Sequence, residues 1–179
     1  SHVAQDSTSA YAKAAAINAS DIDGIKATAV TELSFGTTGG TGGSTDFLAM
    51  WTSGGVGTSG GAFSYDLSIN GTNVIDYDGS AGWVTSALAT TTLGMSMDDA
   101  VDAINTYKNT TGVEASLDGD GNLKLVAADG RNIRIQETIS ADIVGNFNNA
   151  TLRTAFSQVV QPGMDIATSD QDHTYRGAV

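Results

Sequence analysis

Within residues 96–137 the apolar positions first recur every three or four residues and then every second residue, so a helix is predicted to run into strands. Met97, Ala100, Val101 and Ile104 make the helical stripe, and Asp98, Asp102 and Asn105 are expected to face water. Ser96 with Asp99 three positions on has the spacing of a capping box: the hydroxyl can accept from a free backbone N–H, and early carboxylates suit the positive end of the helix dipole. Gly112 can take the left-handed conformation that closes a helix. Val113, Ala115 and Leu117 then alternate with Glu114 and Ser116, DGDGN reads as a hairpin turn, and Leu123, Leu125 and Ala127 continue on the return strand. A second turn, ADGRN, precedes Ile133 and Ile135. The predicted unit is helix, strand, strand, strand.

The same order occurs earlier. With Ser7 or Ser9 as cap, Tyr11, Ala14, Ala15 and Ile17 support a short helix to about residue 19, Gly24 punctuates, and Ile25, Ala27 and Ala29 alternate with Lys26 and Thr28. One residue more separates Asn105 from Gly112 than Asn18 from Gly24, so the two segments read as an internal repeat. Between them, residues 36–61 are Gly, Thr and Ser around an apolar island, FLAMW at 47–51, predicted to be a short strand on the core. Phe63, Tyr65, Leu67 and Ile69 alternate up to Asn70-Gly71, a strong turn signal before Val74 and Tyr77. Residues 79–94 read as a loop carrying Trp83 and Leu88. Beyond residue 137, residues 140–149 are turn-like, Leu152, Phe156, Val159 and Val160 fit a helix or a strand, Pro162-Gly163 forces a turn, and residues 174–179 suggest a final strand.

These patterns predict an α+β, β-rich fold of antiparallel hairpins packed with two short amphipathic helices in a repeated helix–strand unit. The 179 residues suffice for one core or for two small lobes, about 1–61 and 62–179, with a flexible Gly-rich segment at 36–61. A net charge of −12 with only eight Lys and Arg leaves no basic track for phosphates, so no nucleic-acid partner is expected. No apolar run has the length of a membrane span, and no basic, apolar leader is evident, so no membrane association is expected either. Without Cys there is no disulfide framework, thiol nucleophile or thiolate metal site. Twenty-two Gly, one Pro and 16% charged residues suit a secreted, β-rich surface protein better than a cytosolic enzyme.

DAIN at 102–105, the strand in TTGVEASL and the hairpin leading into LVAADGRNIRI closely resemble the hook IN motif of bacterial flagellins and some hook-associated proteins. FSYDLSINGTNVI, residues 63–75, resembles the hairpin that often precedes it, and residues 11–30 resemble a degenerate earlier copy. The resemblance implies a structural component of the flagellar filament: an outer, solvent-exposed central region, secreted and extracellular, without the termini that polymerise. Its implied partners are other flagellin subunits, through those termini, with host antibodies or glycosylation enzymes acting on the exposed loops. The alternatives are a hook-associated junction protein, which shares the motif, and a secreted carbohydrate-binding or adhesin domain using Trp51, Trp83 and the acidic loops.

Candidate chemistry points the same way. Asp118, Asp120 and Asn122 occupy the first, third and fifth places of a calcium loop, but Leu123 stands where the sixth needs Gly and Asp129 where the twelfth needs Glu, which favours a hairpin turn. His2 and His173 are too far apart for an H-E-x-x-H zinc helix, and His173 reads as a strand-edge side chain. Gly57-Thr58-Ser59-Gly60 lacks the flanks of a nucleophile elbow, and GTTGGTGG at 36–43 lacks the Lys of a phosphate loop. Asp98, Asp99 and Asp102 serve the helix dipole and its wet face rather than acid–base chemistry. Trp51 and Trp83 are expected to anchor the core more than to stack on sugars. No catalytic residue, cofactor site or metal site is therefore assigned, and the chain is not expected to be an enzyme.

Overall fold

A computed structural model describes residues 5–35, 46–52, 58–59, 63–78, 84–85, 93–141, 150–156 and 169–176. Helix α1 (Ala10–Ala19) starts at Ser9, whose hydroxyl accepts from the Ala12 N–H at 3.1 Å. Helix α2 (Met97–Thr106) starts at Ser96 in the same way: its hydroxyl accepts from the Asp99 N–H at 3.1 Å and donates to the Asp99 carboxylate at 2.7 Å. Tyr107 interrupts the helix, a single further turn α3 (Lys108–Thr111) follows, and Gly112 ends it with φ 69°. That left-handed value is where a glycine has no steric penalty, as the chain pattern required.

The strands are β1 (Thr31–Phe35), β2 (Asp46–Thr52), β3 (Thr58–Ser59), β4 (Phe63–Ile69), β5 (Thr72–Asp78), β6 (Val84–Thr85), β7 (Leu93–Ser96), β8 (Glu114–Leu117), β9 (Leu123–Ala127), β10 (Ile133–Ala141), β11 (Ala150–Thr154) and β12 (Ser169–Tyr175). Their sheets have the orders β12-β10-β4-β5, β1-β9-β8, β11-β2-β7 and β3-β6, and the pairs are antiparallel. The expected α+β, β-rich architecture is the observed one. The apolar island is strand β2, with Phe47 and Leu48 fully buried, and Asn70 and Gly71 turn the β4–β5 hairpin with φ 52° and 81°. Two positive φ values at the centre of a two-residue loop match the right-handed twist of its strands.

The period of two decides what lies inside. Tyr65, Leu67 and Ile69 of β4, Leu123, Leu125 and Ala127 of β9, and Ile133 and Ile135 of β10 are buried, while Asp66 and Arg134 between them are only partly covered. Met97, Ala100 and Ile104 of α2 join this one core, together with Val113 and Ala115 just past the helix. Phe35, Phe47, Tyr65, Phe156 and Tyr175 meet edge to face at ring separations of 4.7 to 5.9 Å, joining β1, β2, β4 and β12 through favourable quadrupole geometry. The alternation also carries Glu137 inside, where it accepts from the Tyr65 hydroxyl at 2.7 Å. Burial, and then the neighbouring Glu137 charge, pushes the Tyr65 phenol well above its usual pKa.

The third strand predicted after the ADGRN turn is β10; it pairs with β4 and β12, while β1 holds the other edge of β9, from Thr31 opposite Ala127 to Phe35 opposite Leu123. Two expectations are corrected. Residues 25–29 are not a strand, because the main chain at Ala27 is bonded by the Asn18 side chain rather than by a neighbouring strand. Ile17 is not a buried stripe residue. It is 37% exposed, whereas Ile104, at the matching place in α2, is 0% exposed, because α1 buries only the small Ala10 and Ala14 while α2 lies against β2, β5, β7 and β8. Residues 36–43, 142–149 and 177–179, Trp83 and Pro162-Gly163 lie outside the described residues.

This difference gives a paired prediction. Ile104→Asp, which places an uncompensated charge in the core, should cost about 3–5 kcal/mol, whereas Ile17→Asp should stay within about 0.5 kcal/mol of wild type. Urea unfolding of both variants checks it. Equal losses would contradict the burial difference.

Candidate functional site

The polar groups that organise this molecule are asparagines. A carboxamide carries one acceptor and a donor in the arrangement of a peptide group, so it can stand in for a missing strand. Asn105, which the pattern placed toward water, is instead turned onto β8: its Nδ2 donates to the Ala115 carbonyl at 2.9 Å and its Oδ1 accepts from the Ala115 N–H at 2.9 Å. Strand β8 is the edge of its sheet, so the clamp covers an exposed backbone pair that would otherwise invite another strand. The repeat holds in geometry as well as in order. Asn18 donates to the Ala27 carbonyl at 2.9 Å and accepts from the Ala27 N–H at 2.8 Å, nine residues apart against ten in the second unit.

A second cluster fixes the end of α3. The Thr111 carbonyl accepts from Asn70 Nδ2 at 2.9 Å and from Arg131 Nη1 at 3.2 Å, so two donors satisfy a helix C-terminus where negative partial charge collects. Asn70 Oδ1 accepts from the Arg134 N–H at 2.9 Å, and the Asn70 N–H donates to the Arg134 carbonyl at 2.9 Å. One side chain thereby joins the β4–β5 turn to both the helix end and β10. Arg131 is held by Asp129 through Nε and Nη2 at 2.7 to 3.0 Å, and Gln5 also donates to Asp129 at 3.2 Å. Partial burial opposes the Asp129 charge, but the Arg131 hydrogen bonds outweigh it and leave the carboxyl below its usual pKa. A Cβ on Gly112 would meet the Arg131 guanidinium and displace it from the Thr111 carbonyl, and the positive φ favours glycine there in any case.

The calcium-like carboxylate is spent on its own turn. Asp118 accepts from the Asn122 N–H at 2.9 Å, Asn122 Nδ2 at 3.0 Å, the Asp120 N–H at 2.9 Å and Ser34 Oγ at 3.0 Å. The backbone and side-chain bonds from Asn122, aided by those from Asp120 and Ser34, lower its pKa to about 2.

The other candidates do not assemble into one place. Asp98 and Asp99 occupy the first turn of α2 and Asp102 is exposed one turn on. Thr58 and Ser59 form β3 opposite Thr85 and Val84. Trp51 lies on β2 opposite Thr151, and His173 lies on β12 opposite Ile135, their side chains outside the described set; His2 and Trp83 are outside it altogether. Among the described residues no three His, Cys, Asp or Glu side chains are placed to hold a metal ion. Among the described residues no helix is long and apolar enough to cross a membrane.

Two helices capped by serine, each with an asparagine bonded to both main-chain groups of a later alanine, define a module in which these side chains are used on its own backbone. The family model for the flagellin hook IN motif matches residues 66–129, the span that contains most of the β4–β5 hairpin, the Asn105 clamp and the β8–β9 hairpin. The chain thus carries this flagellin motif and is flagellin-like, which supports a flagellar or hook-related structural role. A solved structure titled as a crystal structure of a protein from Archaeoglobus fulgidus is similar at 13% identity over 84% of this chain and 96% of that one, with a TM-score of 0.30.

Two measurements test the site. Asn105→Ala removes both clamp bonds and should lower stability by about 1–3 kcal/mol in urea unfolding, while the more exposed Asn18→Ala should cost less; no loss for Asn105→Ala would contradict the clamp. The Asp118 carboxyl should titrate near 2 in an NMR pH series. Because its folded pKa lies below the ordinary 3.8, its contribution to the turn is present above pH 4 and is lost as pH falls toward 2. A midpoint at the ordinary value would contradict the four-donor turn.

Proposed function

We propose that this chain is the outer, solvent-exposed central region of a bacterial flagellin, secreted and displayed on the filament, with subunit contacts made through polymerising helices outside residues 1–179. The match of residues 66–129 to the hook IN motif carries this reading. In it the region performs no reaction and binds no cofactor; it folds and presents a surface. The net charge of −12 supports the role, since identical lobes crowded along a filament stay apart and soluble through mutual repulsion. We take the chain as one folded body: β1 pairs with β9, and β2 with β7 and β11, strand pairs that each join residues 1–61 to residues 62–179.

The second reading, a hook–filament junction protein, shares the motif and differs in place. Gold-labelled antibodies raised against residues 1–179 separate the two by electron microscopy of intact flagella. Labelling along the whole filament is expected; labelling confined to the junction would replace the first reading with the second, and no labelling of flagella would sink both.

A further inference from the structure

Asn70-Gly71 is the one Asn-Gly pair in the sequence. Such a pair has a chemistry of its own, because a glycine nitrogen, with no Cβ beside it, can reach the carboxamide carbon of the asparagine before it and displace ammonia. The fold holds this pair in a state that opposes the approach. Asn70 Nδ2 donates to the Thr111 carbonyl at 2.9 Å, Oδ1 accepts from the Arg134 N–H at 2.9 Å, and the Asn70 N–H donates to the Arg134 carbonyl at 2.9 Å. Swinging Cγ toward the Gly71 nitrogen breaks both side-chain bonds, and the main chain at φ 52° is set by the two-residue loop that pairs Ile69 with Thr72. Solvent is not the barrier: Gly71 is exposed, and beyond its chain neighbours no atom lies within 4 Å of where its Cβ would stand.

We propose that Asn70 is a modification site, a centre of spontaneous deamidation that its native contacts hold shut and that opening of the β4–β5 turn releases. The Gly71 nitrogen gives its proton to solvent and attacks Asn70 Cγ. The N–Cγ bond forms, the Cγ–Nδ2 bond breaks, Nδ2 leaves as ammonia with a proton from solvent, and a cyclic imide remains. Water then adds to one imide carbonyl and breaks its bond to that nitrogen, giving aspartate or, with the chain rerouted through Cγ, isoaspartate. One water is consumed and one ammonia released, with no oxidant or reductant. The product does not fit the place it came from. An aspartate at position 70 has no donor for the Thr111 carbonyl and sets a negative charge against the C-terminal end of α3, so that acceptor keeps only Arg131 among its described donors. Isoaspartate adds a main-chain carbon to the loop that fixes the β4–β5 register. The native fold thus suppresses the reaction and the product weakens the fold, which makes the conversion one-way. None of this depends on where the chain is displayed, so it stands or falls apart from the filament reading.

Peptide mapping by mass spectrometry follows conversion of Asn70 in the whole chain, incubated at neutral pH in buffer and in denaturing urea. Conversion is expected in urea and should be about tenfold or more slower in buffer, where the turn must first open. Gly71→Ala, compared in urea where its folding does not matter, should slow the reaction several-fold, because the added Cβ crowds the attacking nitrogen. Asn70→Asp should lower the melting midpoint by about 2–4 °C or more, as the loss of one hydrogen bond worth about 1 kcal/mol does in a chain of this size. Equal rates in buffer and urea, or a faster one in buffer, would overturn the proposal. So would no conversion in urea, a rate in urea unaltered by Gly71→Ala, or an unchanged midpoint for Asn70→Asp.

Discussion

The Asn105 carboxamide bonded to both main-chain groups of Ala115 is the contact on which the arrangement of the second unit depends. A helix and an edge strand have no backbone groups to share, because the helix satisfies its own and the strand leaves a row unmet. A side chain with a peptide-like donor and acceptor bridges that mismatch at one fixed distance and orientation. Once it does, Ile104 and Val113 enter the same core, where α2 lies against β5 as well as β8. Glutamine would carry the same groups on a longer arm, and aspartate would present a second acceptor to the Ala115 carbonyl. Asparagine alone fits the reach and the pattern.

The Thr111 carbonyl ties this local device to the rest of the molecule. Asn70 reaches it from the β4–β5 turn and Arg131 from the turn after β9, so the end of the helical segment, the covering hairpin and the start of β10 meet at one acceptor. From there the aromatic rings carry the packing outward to β1, β2 and β12. The polar contacts fix register and orientation, and the alternating apolar faces supply most of the driving force.

Features governed by neighbours in the chain were legible in advance. The cap at Ser96, the narrowing of the first cap to Ser7 or Ser9, the stop at Gly112, the turn at Asn70-Gly71 and the strand around Phe47 follow from single residues and their local geometry. Strand partners were not legible, since the choice of β1 over β10 beside β9 is made by segments far apart in sequence. The role of Asn105 was missed for a related reason: helical periodicity says which side of the helix is apolar and cannot say that a strand runs along the polar flank. The only trace lay in the repeat, which places an asparagine after the isoleucine in both units. Glu137 was overlooked although the alternation from Ile133 and Ile135 points it inward. The unequal burial of Ile17 and Ile104 could not be read at all, because cover is a property of what packs on the unit and not of the unit's own pattern.

Native-state hydrogen exchange of the unaltered protein tests the clamp most directly. The Ala115 amide should be protected to the degree of paired strand amides although β8 is an edge, with the Ala27 amide also slowed despite lying outside any strand. Exchange of Ala115 at the rate of an open, solvent-bonded amide would contradict the account.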